Sequence, residues 1–148
     1  VNADLRDLYQ EIIVDHSKRP RNFHRLDVGS SVEGFNPLCG DRLTVFVSID
    51  DDKVVDAAFV GNGCAISTAS ASVMTEAIKG MPVAKVHELF AKFHSMVTSG
   101  DEAAAADVGK LAVFAGVVEF PSRVKCATLA WHTLEAALEG KADKVSTE

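Results

Sequence analysis

A chain of 148 residues with 47% hydrophobic content can bury one proper core but not two, so a single domain over 1–140 with a frayed tail at 141–148 is expected. Its 15 basic and 21 acidic residues leave a net charge of −6, which argues against nucleic acid as a ligand, since phosphate binding needs a clustered basic face. No stretch approaches the roughly 18 apolar residues of a membrane span, and Val1 to Gln10 carry alternating charges, so a cytoplasmic protein with no membrane partner is expected.

From Asp4 to Ser17, the residues Leu5, Leu8, Tyr9, Ile12 and Ile13 recur at the period of one helical face, so the chain opens on an amphipathic helix. Pro20 cuts it within the basic turn Lys18-Arg19-Pro20-Arg21-Asn22, because proline lacks an N–H donor and disfavours helical geometry in the residue before it. With Arg25, and flanked by His16 and His24, that turn reads as a solvated patch or a docking spot for a partner. Val28 to Phe35 alternates weakly. Leu43 to Ile49 is β-branched and apolar enough for a strand, Asp50-Asp51-Asp52-Lys53 turns the chain, and Val54 to Val60 returns, which predicts a hairpin ending near Gly61 and Gly63.

Ala65 to Lys79 is rich in alanine and serine, with Ile66, Ala69, Val73 and Ala77 on one helical face and Gly80 as the stop. Pro82 to Thr98 sets Val83, Val86, Leu89, Phe90, Phe93 and Val97 at helical spacing before the Ser99-Gly100-Asp101 break. Ala103 to Ala106 suits a helix or a loop, and Leu111 to Val118 a strand or a short helix, ended by Pro121. Val124, Leu129, Ala130, Trp131, Leu134, Ala137 and Leu138 form the strongest helical pattern, stopping at Gly140. His87, His94 and His132 fall on these helices and read as half-buried or surface residues rather than ligands.

The three cysteines stand far apart: Cys39 behind Asn36-Pro37-Leu38, Cys64 behind Gly61-Asn62-Gly63, and Cys126 at the end of Phe120-Pro121-Ser122-Arg123-Val124-Lys125. A lone cysteine is more often inert packing than a ligand. An odd number cannot pair off completely, and a reducing compartment leaves all as thiols. Cys64 directly precedes a predicted helix and Cys126 lies near the start of another, where unpaired N–H groups and the helix dipole favour a thiolate. No interval has the C-x-x-C spacing of a zinc ribbon, so any shared site has to be assembled by the fold. Asp41 is a turn or cap residue on local sequence alone; joined with the thiolates on one zinc, it becomes the hard ligand in a soft set. Lys125 and Arg123 would then offset the net negative site.

The segments Asp15-His16-Ser17-Lys18-Arg19-Pro20-Arg21-Asn22, Asn36-Pro37-Leu38-Cys39-Gly40-Asp41, Gly61-Asn62-Gly63-Cys64-Ala65-Ile66-Ser67 and Lys125-Cys126 recur in the order and rough spacing of the U-type iron–sulfur cluster assembly proteins. The resemblance runs from about Leu8 to Leu138 and is greatest to the Suf-type branch, the SufU proteins. The extra segment from Gly100 to Glu119 and Lys125, where Isc-type scaffolds have histidine, point to that branch. The segment from Phe120 to Lys125 also departs from the Isc-type chaperone motif.

What the resemblance implies is an α+β fold, a small antiparallel three-stranded sheet packed on one face by helices, with a third strand at Val28 to Phe35. It implies zinc on Cys39, Asp41, Cys64 and Cys126, and a sulfurtransferase-like role: accepting persulfide sulfur from a SufS-like cysteine desulfurase, with downstream Suf scaffold proteins as further partners. It also suggests that a desulfurase histidine displaces one cysteine, for which Cys39 is the expected candidate, with Arg123 and Lys125 steadying the thiolate or persulfide. Arg123 precedes Cys126 by one helical turn, yet its spacing equally suits a surface arginine. One alternative is a scaffold that assembles a [2Fe–2S] cluster from iron and sulfur on the same ligands. The other is a structural zinc module.

Overall fold

The structure is a computed structural model and describes residues 3–37, 40–139 and 144–146. Helix α1 (Ala3–Lys18) leads into strands β1 (Ser30–Asn36), β2 (Asp41–Asp50) and β3 (Lys53–Asn62). These pair antiparallel, β1 with β2 from Ser30↔Val47 to Asn36↔Asp41, and β2 with β3 from Arg42↔Asn62 to Asp50↔Lys53. Asp51 and Asp52 make the hairpin turn at φ 52° and 59°, the positive values with which a tight turn follows the strand twist. The weak alternation before Asn36 has a simple cause. The inward positions of β1 are Val32, Gly34 and Asn36, so one phase of the strand is buried while only Val32 among them is a sizeable apolar side chain.

Helices α2 (Ala65–Ile78), α3 (Val83–Ser99) and the short α4 (Glu102–Ala105) follow. Gly109–Glu119, ambiguous by periodicity, is a 3₁₀ segment that buries Leu111, Val113, Phe114 and Val117. Pro121 opens α5 (Pro121–Glu139), at the position where a missing N–H costs nothing and a fixed φ suits the helix. Within the end expected to fray, Lys144–Ser146 form a short strand, β4, parallel to Glu33–Phe35, giving the sheet order β3-β2-β1-β4. A strand this short carries no periodic signal of its own; the unpaired edge of β1 supplies its partners.

Helix α5 lies on β1 and β2, α2 packs on β3, and α1, α3 and the 3₁₀ segment surround this pair. The three antiparallel strands with helices packed against them are the α+β arrangement expected. Close approach of α5 depends on Gly34, where a Cβ would come within 2.0 Å of Thr133 Oγ1. Trp131, fully buried on α5, stacks on Phe90 and Phe93 with ring centroids 5.7 and 5.1 Å away. No helix among the described residues is long and apolar enough to cross a membrane.

The segment after α1 fastens that helix to α2. His16, expected beside a partner surface, is instead buried, its Nδ1 2.7 Å from Ser72 Oγ. Ser72 Oγ also accepts the Arg21 N–H at 2.8 Å. Arg19 and Arg21 pair with the Asp15 carboxylate at 2.8 and 2.6 Å, so much of the basic turn is neutralised. These guanidiniums, Arg21 first, lower the Asp15 pKa to about 2. His24 remains exposed.

Candidate metal centre

The register puts three chain ends together. Asn36 closes β1 opposite Asp41, which opens β2, and Arg42 pairs with Asn62 at the end of β3. Gly61 has φ 144°, and a Cβ there would lie 2.1 Å from the Arg42 carbonyl oxygen; glycine thus lets the strand leave the sheet towards Cys64. Cys64 is the N-cap of α2 and its Sγ accepts the Ser67 N–H at 3.4 Å, so the helix-end placement expected for this thiol is present.

Asp41 is buried, and its two carboxylate oxygens have different work. Oδ1 accepts the Cys64 N–H at 2.8 Å, tying the start of β2 to the start of α2, while Oδ2 lies 3.8 Å from the Cys64 thiol. Its expected local role in a turn or cap is thus replaced by a long-range tie, Asp41 opening a strand and holding a backbone N–H 23 residues away. Cys126 is 3% exposed and comes from the second turn of α5. It lies close to a helix start, as expected, with the backbone N–H groups around it taken up in the helix ladder. Asn36, fully buried, points its Nδ2 at Cys126 Sγ, 3.8 Å away.

One potential ligand atom from each of Asp41, Cys64 and Cys126 lies within 4.8 Å of the others. Cys39 lies outside the described residues. Arg123 is exposed, with its guanidinium carbon 4.9 Å from the centroid of the Phe120 ring. Lys125 is half-buried, and as the immediate neighbour of Cys126 it projects from a different face of α5.

The cluster fits a zinc ion. Zinc–sulfur bonds near 2.3 Å and zinc–oxygen bonds near 2.1 Å set ligand atoms of a tetrahedron roughly 3.5–3.8 Å apart, so the site needs at most about 1 Å of contraction, and the Asp41 Oδ2–Cys64 Sγ separation of 3.8 Å nearly fits as it stands. Two thiols and a carboxylate suit a borderline-soft cation. The Ser67 hydroxyl beside the site is buried with no hydrogen-bond partner among the described residues, as a donor would be before a thiolate forms next to it.

Two features of the candidate site were not anticipated from the sequence, the Asn36 contact and the Ser67 hydroxyl, unpartnered among the described residues. Asn36 did carry a signal, since a polar residue on the buried phase of a strand calls for a partner. Ser67 had no such mark among the many serines of α2.

The sequence matches the NifU-like N terminal domain family over residues 8–127. It is 43% identical over 134 residues to the zinc-dependent sulfurtransferase SufU of Bacillus subtilis (strain 168), covering 90% of this chain and 91% of that protein. It is 42% identical over 141 residues to the iron–sulfur cluster assembly scaffold protein IscU of Streptococcus pyogenes serotype M1, covering 95% and 89%. Among solved structures, a candidate iron–sulfur cluster assembly scaffold for the SUF system of Fervidobacterium islandicum AW-1 superposes with a TM-score of 0.79 at 39% identity, covering 86% and 94%. The shared motifs, the common architecture and the near-complete coverage agree, and the chain belongs to the NifU-like N-terminal domain family, the IscU and SufU proteins of iron–sulfur cluster assembly.

Proposed function

We propose that this protein is a zinc-dependent sulfur acceptor that takes persulfide sulfur from a SufS-like cysteine desulfurase and passes it to downstream Suf scaffold proteins. Cys39, Asp41, Cys64 and Cys126 would hold the zinc. The observation that carries this reading is the convergence of Asp41, Cys64 and Cys126 from three distant segments to within 4.8 Å. Cys39 is two residues from Asp41, so covalent geometry keeps its Cα within about 7.6 Å of that residue's. When bound, zinc keeps its thiolates deprotonated and exchanges ligands without redox chemistry of its own.

The Cys39 thiolate attacks the outer sulfur of the desulfurase persulfide. A new S–S bond forms on Cys39, the old one breaks, and its electron pair leaves on the desulfurase cysteine as thiolate. Asp41 holds the Cys64 backbone through Oδ1, while Oδ2 remains available to the site. Arg123 shares a helical face with Cys126 and would reach the new persulfide anion; Lys125 adds positive charge nearby.

A second reading, a scaffold for a [2Fe–2S] cluster, is favoured by the similarity to the IscU of Streptococcus pyogenes. Metal analysis and a visible absorption spectrum of freshly purified protein separate the two: zinc without colour is expected, and a coloured iron–sulfur chromophore would support the scaffold. Cys39→Ala, Cys64→Ala and Cys126→Ala are each expected to lower zinc content and abolish stimulation of the desulfurase. A cysteine variant with full zinc and full stimulation would remove that residue from the site.

A further inference from the structure

We infer that Asn36 is a positioning residue of this centre: its side-chain N–H holds the Cys126 sulfur as the fixed thiolate, so that sulfur exchange does not fall to Cys126. The inference rests on the metal-site reading and deepens it. Asn36 occupies the third inward position of β1 after Val32 and Gly34 and is fully buried. An apolar residue would suit that position by packing alone, whereas a buried carboxamide is tolerated where its polar atoms are satisfied. Its Nδ2 lies 3.8 Å from Cys126 Sγ. The amide orientation is chemically determined when the sulfur is anionic, because Oδ1 in that place would set a partial negative charge against the thiolate.

The other donors described in the site are of a different kind. Asp41 Oδ1 receives the Cys64 N–H at 2.8 Å, and Cys64 Sγ receives the Ser67 N–H at 3.4 Å; both are backbone donors produced by the N-cap turn of α2. Cys126 lies in the second turn of α5, where the backbone N–H groups are engaged within the helix. The β1 side chain brings a donor from outside that helix. A neutral N–H donor stabilises the thiolate without adding a cation that would compete for the site, and it withdraws electron density, which makes the sulfur less nucleophilic. Burial works the same way: Cys126 is 3% exposed, whereas Cys64 is exposed to solvent.

Wild-type protein loaded with ¹¹³Cd tests the contact directly. The expected result is a ¹H–¹¹³Cd correlation from the Asn36 side-chain protons, transmitted across the hydrogen bond and Cys126 Sγ, together with slow solvent exchange of those protons. Asn36→Asp and Asn36→Ala are expected to release zinc to a chelator about 10-fold or more faster, as loss of an outer-shell partner does. In their cobalt-loaded forms the thiolate-to-cobalt band should move to longer wavelength, which a loss of affinity by misfolding would not produce. If the Cys126 β-protons couple to cadmium while the Asn36 protons neither couple nor exchange slowly, this inference is overturned and the metal site stands. If no cysteine couples to cadmium, both are overturned.

Discussion

Arg123 rests on Phe120, and magnitudes decide whether that contact excludes it from sulfur transfer. An exposed cation–π contact contributes about 0.5–1 kcal/mol. A hydrogen bond to a charged group contributes about 1.5–3 kcal/mol, enough for a persulfide anion to draw the guanidinium off the ring. Arg123→Ala should therefore leave zinc content and folding nearly intact while lowering persulfide uptake about 10-fold, read by intact-protein mass after incubation with desulfurase and cysteine. Uptake at the wild-type level would make Arg123 a surface charge. Asp41 calls for a subtler replacement, because its Oδ1 anchors the Cys64 N–H. Asp41→Asn keeps an oxygen acceptor and removes the charge, so it should retain zinc and transfer sulfur poorly. Asp41→Ala loses both and should also weaken zinc binding; equal zinc affinity in the two variants would count against the anchoring role.

At the scale of elements, the approach of α5 to the sheet determines where Cys126 sits. Gly34→Ala would drive a methyl into Thr133 Oγ1, 2.0 Å away, and into Leu129 Cδ1 at 3.2 Å. Overpacking of this kind costs about 1–3 kcal/mol, and the helix that must shift is the one that carries Cys126. Zinc affinity and denaturant midpoint are both expected to fall. Thr133→Ala in the same chain removes the obstructing hydroxyl and should restore much of the loss, giving a coupling energy in a double-mutant cycle. Purely additive effects would show that α5 does not bear on β1 through this contact.

For the whole molecule, His16 ties α1 to the body of the fold. Burial lowers its pKa from the usual 6.5, Lys110 and Arg21 reinforce the shift, and Glu76 and Asp15 oppose it. Burial also lowers the pKa of His132, helped by His94. Above pH 6.5 both imidazoles are neutral folded or unfolded; below it the unfolded chain takes up protons that the folded one resists, so stability falls with pH. Thermal midpoints recorded between about pH 8 and 5 should show this fall, and His16→Gln should reduce its slope, leaving the His132 part. An unchanged slope would remove His16 as a source. Zinc at roughly 100 times its dissociation constant adds about 2.7 kcal/mol, or roughly 5–10 °C in a domain of this size, and a chelator should reverse the gain. The sequence by itself determined the helices with strong periodicity, the β2–β3 hairpin and the residues eligible as ligands, because helical faces, turn chemistry and thiol placement are local properties. It left β1 faint, since an inward phase containing glycine and asparagine has little apolar signal, and it left β4 illegible, since that strand exists through the edge of β1. Only the tertiary structure decided that His16 is buried, that Arg123 lies on Phe120 and that Asn36 meets Cys126. Each of these depends on which surface a distant element covers, a matter of packing that residue spacing along one element does not encode.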